Sequence, residues 1–344
     1  MDVVGALRLQ ARACAEHGSP MYGDLLARMA DDAAAGGPVA QVLARVESTD
    51  PVADAVALRL MGSVHRLVLE RRADELAAFY PSVGGTWQPE AGWRAFRALL
   101  ERRPDDAATW LDRPPQTNEV GRATALFGAA LHLPRDLPVR LVEIGASGGL
   151  NLRADRFCYV DDDGRVFGDP VSPLRVEGAW AGRRLEPWPD LRVLERTGCD
   201  PRPVDVTTTE GRLVLTAYVW ADQVTRLERL RRAFEVAAST PALVRRQDAA
   251  SFVRDLELQE GTTTVVWHSV MWQYLPSRDK AAVSDRLEEL GAGAEPSRRL
   301  AHIASEPVQR DPEPEFVVSL RTWPGGERRE LGTTVPHGVP TTWR

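Results

Sequence analysis

From residue 139 onward, short β-rich apolar runs alternate with helical ones. VRLVEIGA comes first. RLVLTAYVW then precedes ADQVTRLERLRRAFEVAAS, PALVRRQD precedes AASFVRDLELQ, and TTTVVWHSV precedes SRDKAAVSDRLEELG, with RRLAHIAS closing the series. Parallel strands need a long crossover between them, usually a helix, and the helices cover both faces of the sheet. The spacing therefore predicts an α/β domain over residues 134–344, built on a Rossmann-like, mostly parallel sheet. At its end, EFVVSLRTWPGGERRELGTTV reads as two strands joined by Pro-Gly-Gly, an antiparallel hairpin. Residues 155–212 read as an irregular insert, in which YVDDDGRVFG forms a hairpin rather than a calcium loop.

Residues 1–133 follow another period. In AVALRLMGSVHRLVLERRADELAAF, Val56, Leu60, Val64, Leu67, Val68 and Leu76 make one apolar stripe, with arginines on the other faces. GDLLARMADDAAA and PVAQVLARV read as helices started by Asp24 and Pro38, and WRAFRALLERR and NEVGRATALFGAALHL as further helices. A helical N-terminal domain, serving as a cap on the substrate side, is expected. His65, inside an apolar helix, reads as a packed histidine. A chain of 344 residues suits two domains.

The net charge of −6 argues against nucleic acid as an obligatory partner. Cys14, Cys158 and Cys199 are far apart, which suits a reducing compartment and no cysteine-bound zinc. The start alternates apolar and charged residues without a signal core, and no run is long enough to span a bilayer, so a cytoplasmic protein without a membrane partner is expected. The histidines are scattered, and no metal motif is present.

The first strand ends in LVEIGASGGLNL, which has two readings. As G-x-S-x-G it is a nucleophile elbow, with Ser147 attacking and Asp311 and His337 completing the order Ser, Asp, His. Against this, the turn follows the first recognisable strand, and no HGGG-like oxyanion segment lies upstream. As a strand, glycine-rich turn and helix it is a cradle for a nucleotide-like cofactor. Gly145, Gly148 and Gly149 let the backbone come close to a ligand, and N–H groups of the next helix face it. Glu143 is costly inside an apolar strand unless it has a partner, and a cationic group would be one. The spacing G-x-x-G-G is not the dinucleotide fingerprint.

These residues carry a resemblance. VEIGASGGLNL looks like the first motif of class I S-adenosylmethionine-dependent methyltransferases, and RRQDAASF and VVWHSVMWQYL resemble the stretches around their third and fourth strands. More narrowly, TNEVGRATAL, VEIGASGGLNL, WADQVTRLERLRRAF, VVWHSVMWQYL and PHGVPTTW together resemble a bacterial family of unknown function with a methyltransferase-like core, over nearly the whole chain. The resemblance implies S-adenosylmethionine as cofactor, with Glu143, Gly145, Ser147, Gly149 and Asn151 in the loop. It implies Asp248 at the adenine and an acid after the second strand at the ribose. Asp222 is preferred there, because a helix and then RRQD follow it, over Asp200 in ERTGCDPRPVD.

The expected activity is methyl transfer to a small molecule. His268 is the candidate general base, Trp272 a stacking residue, and Asn118, Glu119 and Arg122 the substrate or lid contacts, although a helix cap would also explain that turn. A non-catalytic binder of S-adenosylmethionine or a nucleotide, and the serine hydrolase, are the alternatives.

Overall fold

The computed structural model describes residues 1–311 and 314–344. The chain divides into a unit of residues Met1–Thr117 with Thr208–Glu228, and a second of residues Asn118–Thr207 with Arg229–Arg344. The division thus falls near residue 117 rather than 133, and the helical unit also takes a later segment.

In the helical unit the longest helices are Val3–Glu16, Pro20–Ala34, Val56–Leu69 and Pro89–Arg102. Pro20–Ala34 begins one turn before Asp24. Its cap is Ser19, whose Oγ accepts from the Tyr22 N–H at 3.3 Å, followed by proline at the first helical position. Leu60, Val64, Leu67 and Val68 are buried as the stripe requires. His65 is a packed histidine. Nδ1 lies 3.1 Å from the Ala217 carbonyl, Nε2 lies 2.8 Å from Ser82 Oγ, and burial lowers its pKa to about 4.

RLVLTAYVW is not a strand. Thr208 caps a helix over Thr209–Ala217, its Oγ1 accepting from the Gly211 N–H at 3.0 Å. Leu215, Ala217 and Tyr218 are buried, and Tyr218 stacks on Trp110 with ring centres 5.7 Å apart. A short apolar run does not by itself distinguish strand from helix. Here a threonine cap and a helical surface to pack on decide the matter.

The second unit is built on strands β1 (Val139–Ile144), β2 (Cys158–Val160), β3 (Val166–Gly168), β4 (Arg175–Val176), β5 (Trp180–Gly182), β6 (Val193–Asp200), β7 (Leu243–Arg246), β8 (Thr262–Ser269), β9 (Arg298–Val308), β10 (Glu315–Trp323), β11 (Arg328–Thr334) and β12 (Thr341–Trp343). The large sheet runs β5-β12-β11-β10-β9-β8-β1-β6-β7, and β3-β2-β4 form a small one. Strands β9, β8, β1, β6 and β7 are mutually parallel, while β10, β11 and β12 add antiparallel pairings. The β2–β3 and β10–β11 hairpins form where the turn residues place them. Asp161 Oδ1 ties the first turn, accepting from the N–H groups of Asp163 and Arg165.

Strand β6 falls inside the stretch that reads as an irregular insert, yet it pairs with β1 on one side and β7 on the other. Its polar sequence VLERTGCD hides it. Arg196 is only 8 % exposed, and its Nη2 donates to Asp155 at 2.5 Å. Gly198 brings β6 close to β1, since a Cβ there would stand 2.7 Å from the Ala146 Cβ and 2.9 Å from the Glu143 carbonyl oxygen. The helices Ala249–Arg254 and Ser277–Ala292 pack their Phe252, Val253, Val283 and Leu287 with Val142, Ile144 and Val266 on one sheet face.

Candidate functional site

After β1 the chain goes first to β6 on one side of it and later to β8 on the other. Open α/β sheets bind ligands at the carboxyl ends of the strands beside such a switch in order. The segment leaving β1 there is Gly145–Gly149.

Gly145, Ser147 and Gly149 have φ of +69°, +51° and +67°. The two glycines fill left-handed positions at no steric cost, whereas Ser147 bears strain. Space is short as well. A Cβ at Gly149 would stand 2.7 Å from Val244 Cγ2, and one at Gly145 would stand 3.1 Å from Met271 Cγ. The turn is braced from within: the Ser147 N–H donates to Asp200 Oδ2 at 3.0 Å, Gly149 N–H to the Ala146 carbonyl at 2.6 Å, and Leu150 N–H to Asn118 Oδ1 at 2.8 Å. Of these amides, that of Leu150 opens the following helix, where the sequence predicts N–H groups facing a ligand, and it donates to the protein instead. Arg153, given no site role from the sequence, donates from Nη1 to the Gly149 carbonyl at 2.6 Å.

Beneath the turn lies Glu143, 3 % exposed, with Trp267 beside it on the neighbouring strand. Glu143 Oε2, Asn151 Oδ1 and Trp267 Nε1 are each buried without a hydrogen-bond partner. Burial pushes the Glu143 carboxyl up to about 8, with Trp267, Asn151 and then Arg153 pulling it partly back. Buried polar atoms are normally paired, so three without a partner in one place make this cluster a candidate site.

The acid after the second parallel strand is Asp200, at the end of β6. Its Oδ1 accepts from the Arg202 N–H at 2.8 Å and its Oδ2 from Ser147, while burial raises its pKa against those two bonds. Asp222 belongs to the helical unit. Its Oδ1 accepts from Ser19 Oγ at 2.5 Å and its Oδ2 from the Met21 N–H at 3.0 Å. The preference for Asp222 is thus corrected to Asp200, and the cause is the segment before Asp222, which is a helix and supplies no strand end. Asp248 is exposed at the exit of β7, where it caps Ala249–Arg254 by accepting from the Ser251 N–H at 2.8 Å.

The TNEVGR segment meets the loop. Besides the Asn118 contact, Asn151 Nδ2 donates to the Glu119 carbonyl at 3.3 Å, and Glu119 Oε1 accepts from the Gly121 N–H at 3.2 Å. Arg122 points elsewhere, with Nε donating to the Pro336 carbonyl at 3.1 Å. His337 Nδ1 lies 3.7 Å from Glu119 Oε2.

His268 stands apart from this cluster. Val142 pairs with Val266 and Glu143 with Trp267, so alternation puts His268 on the Val142 face, opposite Glu143. There it lines a cavity of about 420 Å³ between β8–β11 and the helix Ser277–Ala292. His268 Nδ1 is 2.8 Å from Glu306 Oε1, an oxygen that also accepts from the Met271 and Trp272 N–H groups at 3.2 and 3.3 Å. Trp272 stacks on the imidazole with ring centres 4.9 Å apart, and His302 adjoins it at 5.1 Å. Burial, the neighbouring His268, Arg328 and Arg321 together hold His302 well below the usual imidazole range. Glu306 and His302 have no motif of their own; only the pairing of β8 with β9 brings them to His268.

A five-stranded parallel block with a glycine-rich turn at its switch and an orphaned acid beneath defines a Rossmann-like α/β protein. The chain belongs to the family described as uncharacterized proteins conserved in bacteria (DUF2332), whose model matches residues 5–343. No curated protein and no solved structure matches it. No helix among the described residues is long and apolar enough to cross a membrane.

Proposed function

We propose that the sheet unit binds S-adenosylmethionine where β1 and β6 end, and that the protein transfers a methyl group to a small molecule. The observation that carries this reading is Glu143: an acid buried under the turn with one oxygen unpaired. A cation beside it would repay the desolvation that holds it protonated. The residues fit the group on two further counts. Asn151 offers a second unpaired oxygen. Asp200 spends one acceptor position of each oxygen on backbone, so each keeps capacity for a ribose hydroxyl.

When bound, the cofactor supplies a methyl group on a sulfonium, open to in-line displacement. Glu143 and Asn151 would bind and orient it, and Asp200 would hold both the turn and the ligand. Alignment of this kind is the main contribution such a reaction asks of a protein. No base is assigned, because His268 faces the other side of the sheet.

A titration with S-adenosylhomocysteine, followed by tryptophan fluorescence, tests the site because Trp267 adjoins Glu143. Saturable change, absent in Gly145→Arg, is expected; no change at millimolar ligand overturns the reading. Binding without any methyl transfer would leave a non-catalytic binder.

One observation favours the hydrolase instead. Ser147 has φ +51°, and a nucleophile elbow is strained in the same manner. Ser147, however, is only 4 % exposed, and the acid near His337 is Glu119 rather than Asp311. Fluorophosphonate labelling abolished by Ser147→Ala would establish this second reading.

A further inference from the structure

The cavity on the Val142 face has features that the glycine loop does not explain. His268 Nε2, His302 Nε2 and Glu306 Oε2 all belong to its lining residues, and each is buried without a hydrogen-bond partner. Since Glu306 Oε1 already gathers two backbone N–H groups, the His268 contact is a donation from Nδ1. In the neutral imidazole, donation from Nδ1 leaves Nε2 as an acceptor.

The charge around the cavity is equally specific. Arg321 and Arg328 are directly paired across β10 and β11, an arrangement that like charges disfavour. Glu288 neutralises Arg321 through both carboxylate oxygens, and Arg321 stacks over Trp323 at 4.4 Å. Arg328 donates only to Ser319 Oγ, at 3.3 Å, and makes no ion pair among the described residues. It is exposed, whereas His268 is 3 % exposed. The cavity thus has an unneutralised guanidinium at its exposed side and His268 at its buried side, and the indoles of Trp272 and Trp323 line it as well. Its volume, about 420 Å³, falls in the range of small-molecule pockets.

We propose that this cavity binds a small aromatic acid, its carboxylate held by Arg328 and a ring hydroxyl or amino group donating to Nε2 of His268. The ring lies along Trp272 and Trp323, and Glu306 acts as a positioning residue that fixes the imidazole. The site does not depend on the glycine loop and stands whether or not that loop takes S-adenosylmethionine.

The test is calorimetry on the full chain with 4-hydroxybenzoate and 4-aminobenzoate as probes, and benzoate and phenol as controls lacking one end. Saturable binding of at least one probe is expected, with each matching control at least tenfold weaker. Arg328→Gln, an exposed change, should weaken the probe at least tenfold and leave phenol unaffected. His268→Gln should narrow the gap between 4-hydroxybenzoate and benzoate. Binding should persist in Asp200→Ala, whose carboxylate contacts are with Ser147 and Arg202 and not with the cavity lining, which separates this site from the loop. Failure of both probes to saturate at millimolar concentration overturns the proposal, as does equal binding of benzoate or indifference to Arg328→Gln.

Discussion

A carboxyl buried in an apolar strand must either find a cation or keep its proton, and Glu143 keeps its proton to about pH 8. Its folded pKa lies above the unfolded value, so the folded state holds the extra proton. Stability of the ligand-free protein is therefore undiminished below about pH 4.5 and falls as pH rises toward 8, by at most about 5 kcal/mol. Glu143→Gln should remove that slope: melting curves between pH 6 and 8 should show the variant gaining on the parent. A constant difference would mean that Glu143 does not titrate there. Gly149→Ala combines a left-handed φ with a Cβ 2.7 Å from Val244 Cγ2. It should cost about 1–2 kcal/mol in urea unfolding and loosen the turn.

Elements decide what single residues mean, and the two aspartates show it. Asp200 ends a strand and holds the turn, whereas Asp222 holds the start of a helix through Ser19 and Met21. Asp200→Ala should abolish ligand binding at the loop. Asp222→Ala should lower stability by about 1–2 kcal/mol, as loss of a cap does, with affinity kept within about twofold. The reverse pattern would restore the sequence preference. At the end of β8, Val270 is forced to φ +50°, unusual for a β-branched residue, and Glu306 gathers the three donors around it. Glu306→Ala leaves those donors unpaired and should cost on the order of 3 kcal/mol. Glu306→Gln, which keeps the acceptor for the backbone, should recover most of it, and equal losses would rule out this role.

Over the whole molecule, local pattern was legible and long-range pairing was not. Alternating runs declared β1, β7, β8 and β9, and Pro-Gly-Gly declared the β10–β11 hairpin, because each depends on neighbours in sequence. Strand β6 was hidden because its polar residues are satisfied by distant partners, Arg196 by Asp155. RLVLTAYVW read as a strand because its apolar run is short, and only tertiary packing made it helical. The motif groups Glu143, Gly145, Ser147, Gly149 and Asn151 because they are neighbours in sequence, and the structure adds Asn118 and Glu119 through their contacts with Leu150 and Asn151. Glu306, His302 and Arg328 could not be found that way, since strand register alone assembles their cavity.

On the proposed function, the turn after β1 takes a cationic cofactor over Glu143. Calorimetric titration with S-adenosylmethionine at pH 6 and pH 8 tests it most directly. Saturable binding that tightens toward pH 8 as Glu143 ionises is expected, with a pH dependence flattened in Glu143→Gln and no binding in Gly145→Arg. Absence of binding at millimolar cofactor, or binding indifferent to both substitutions, would contradict it.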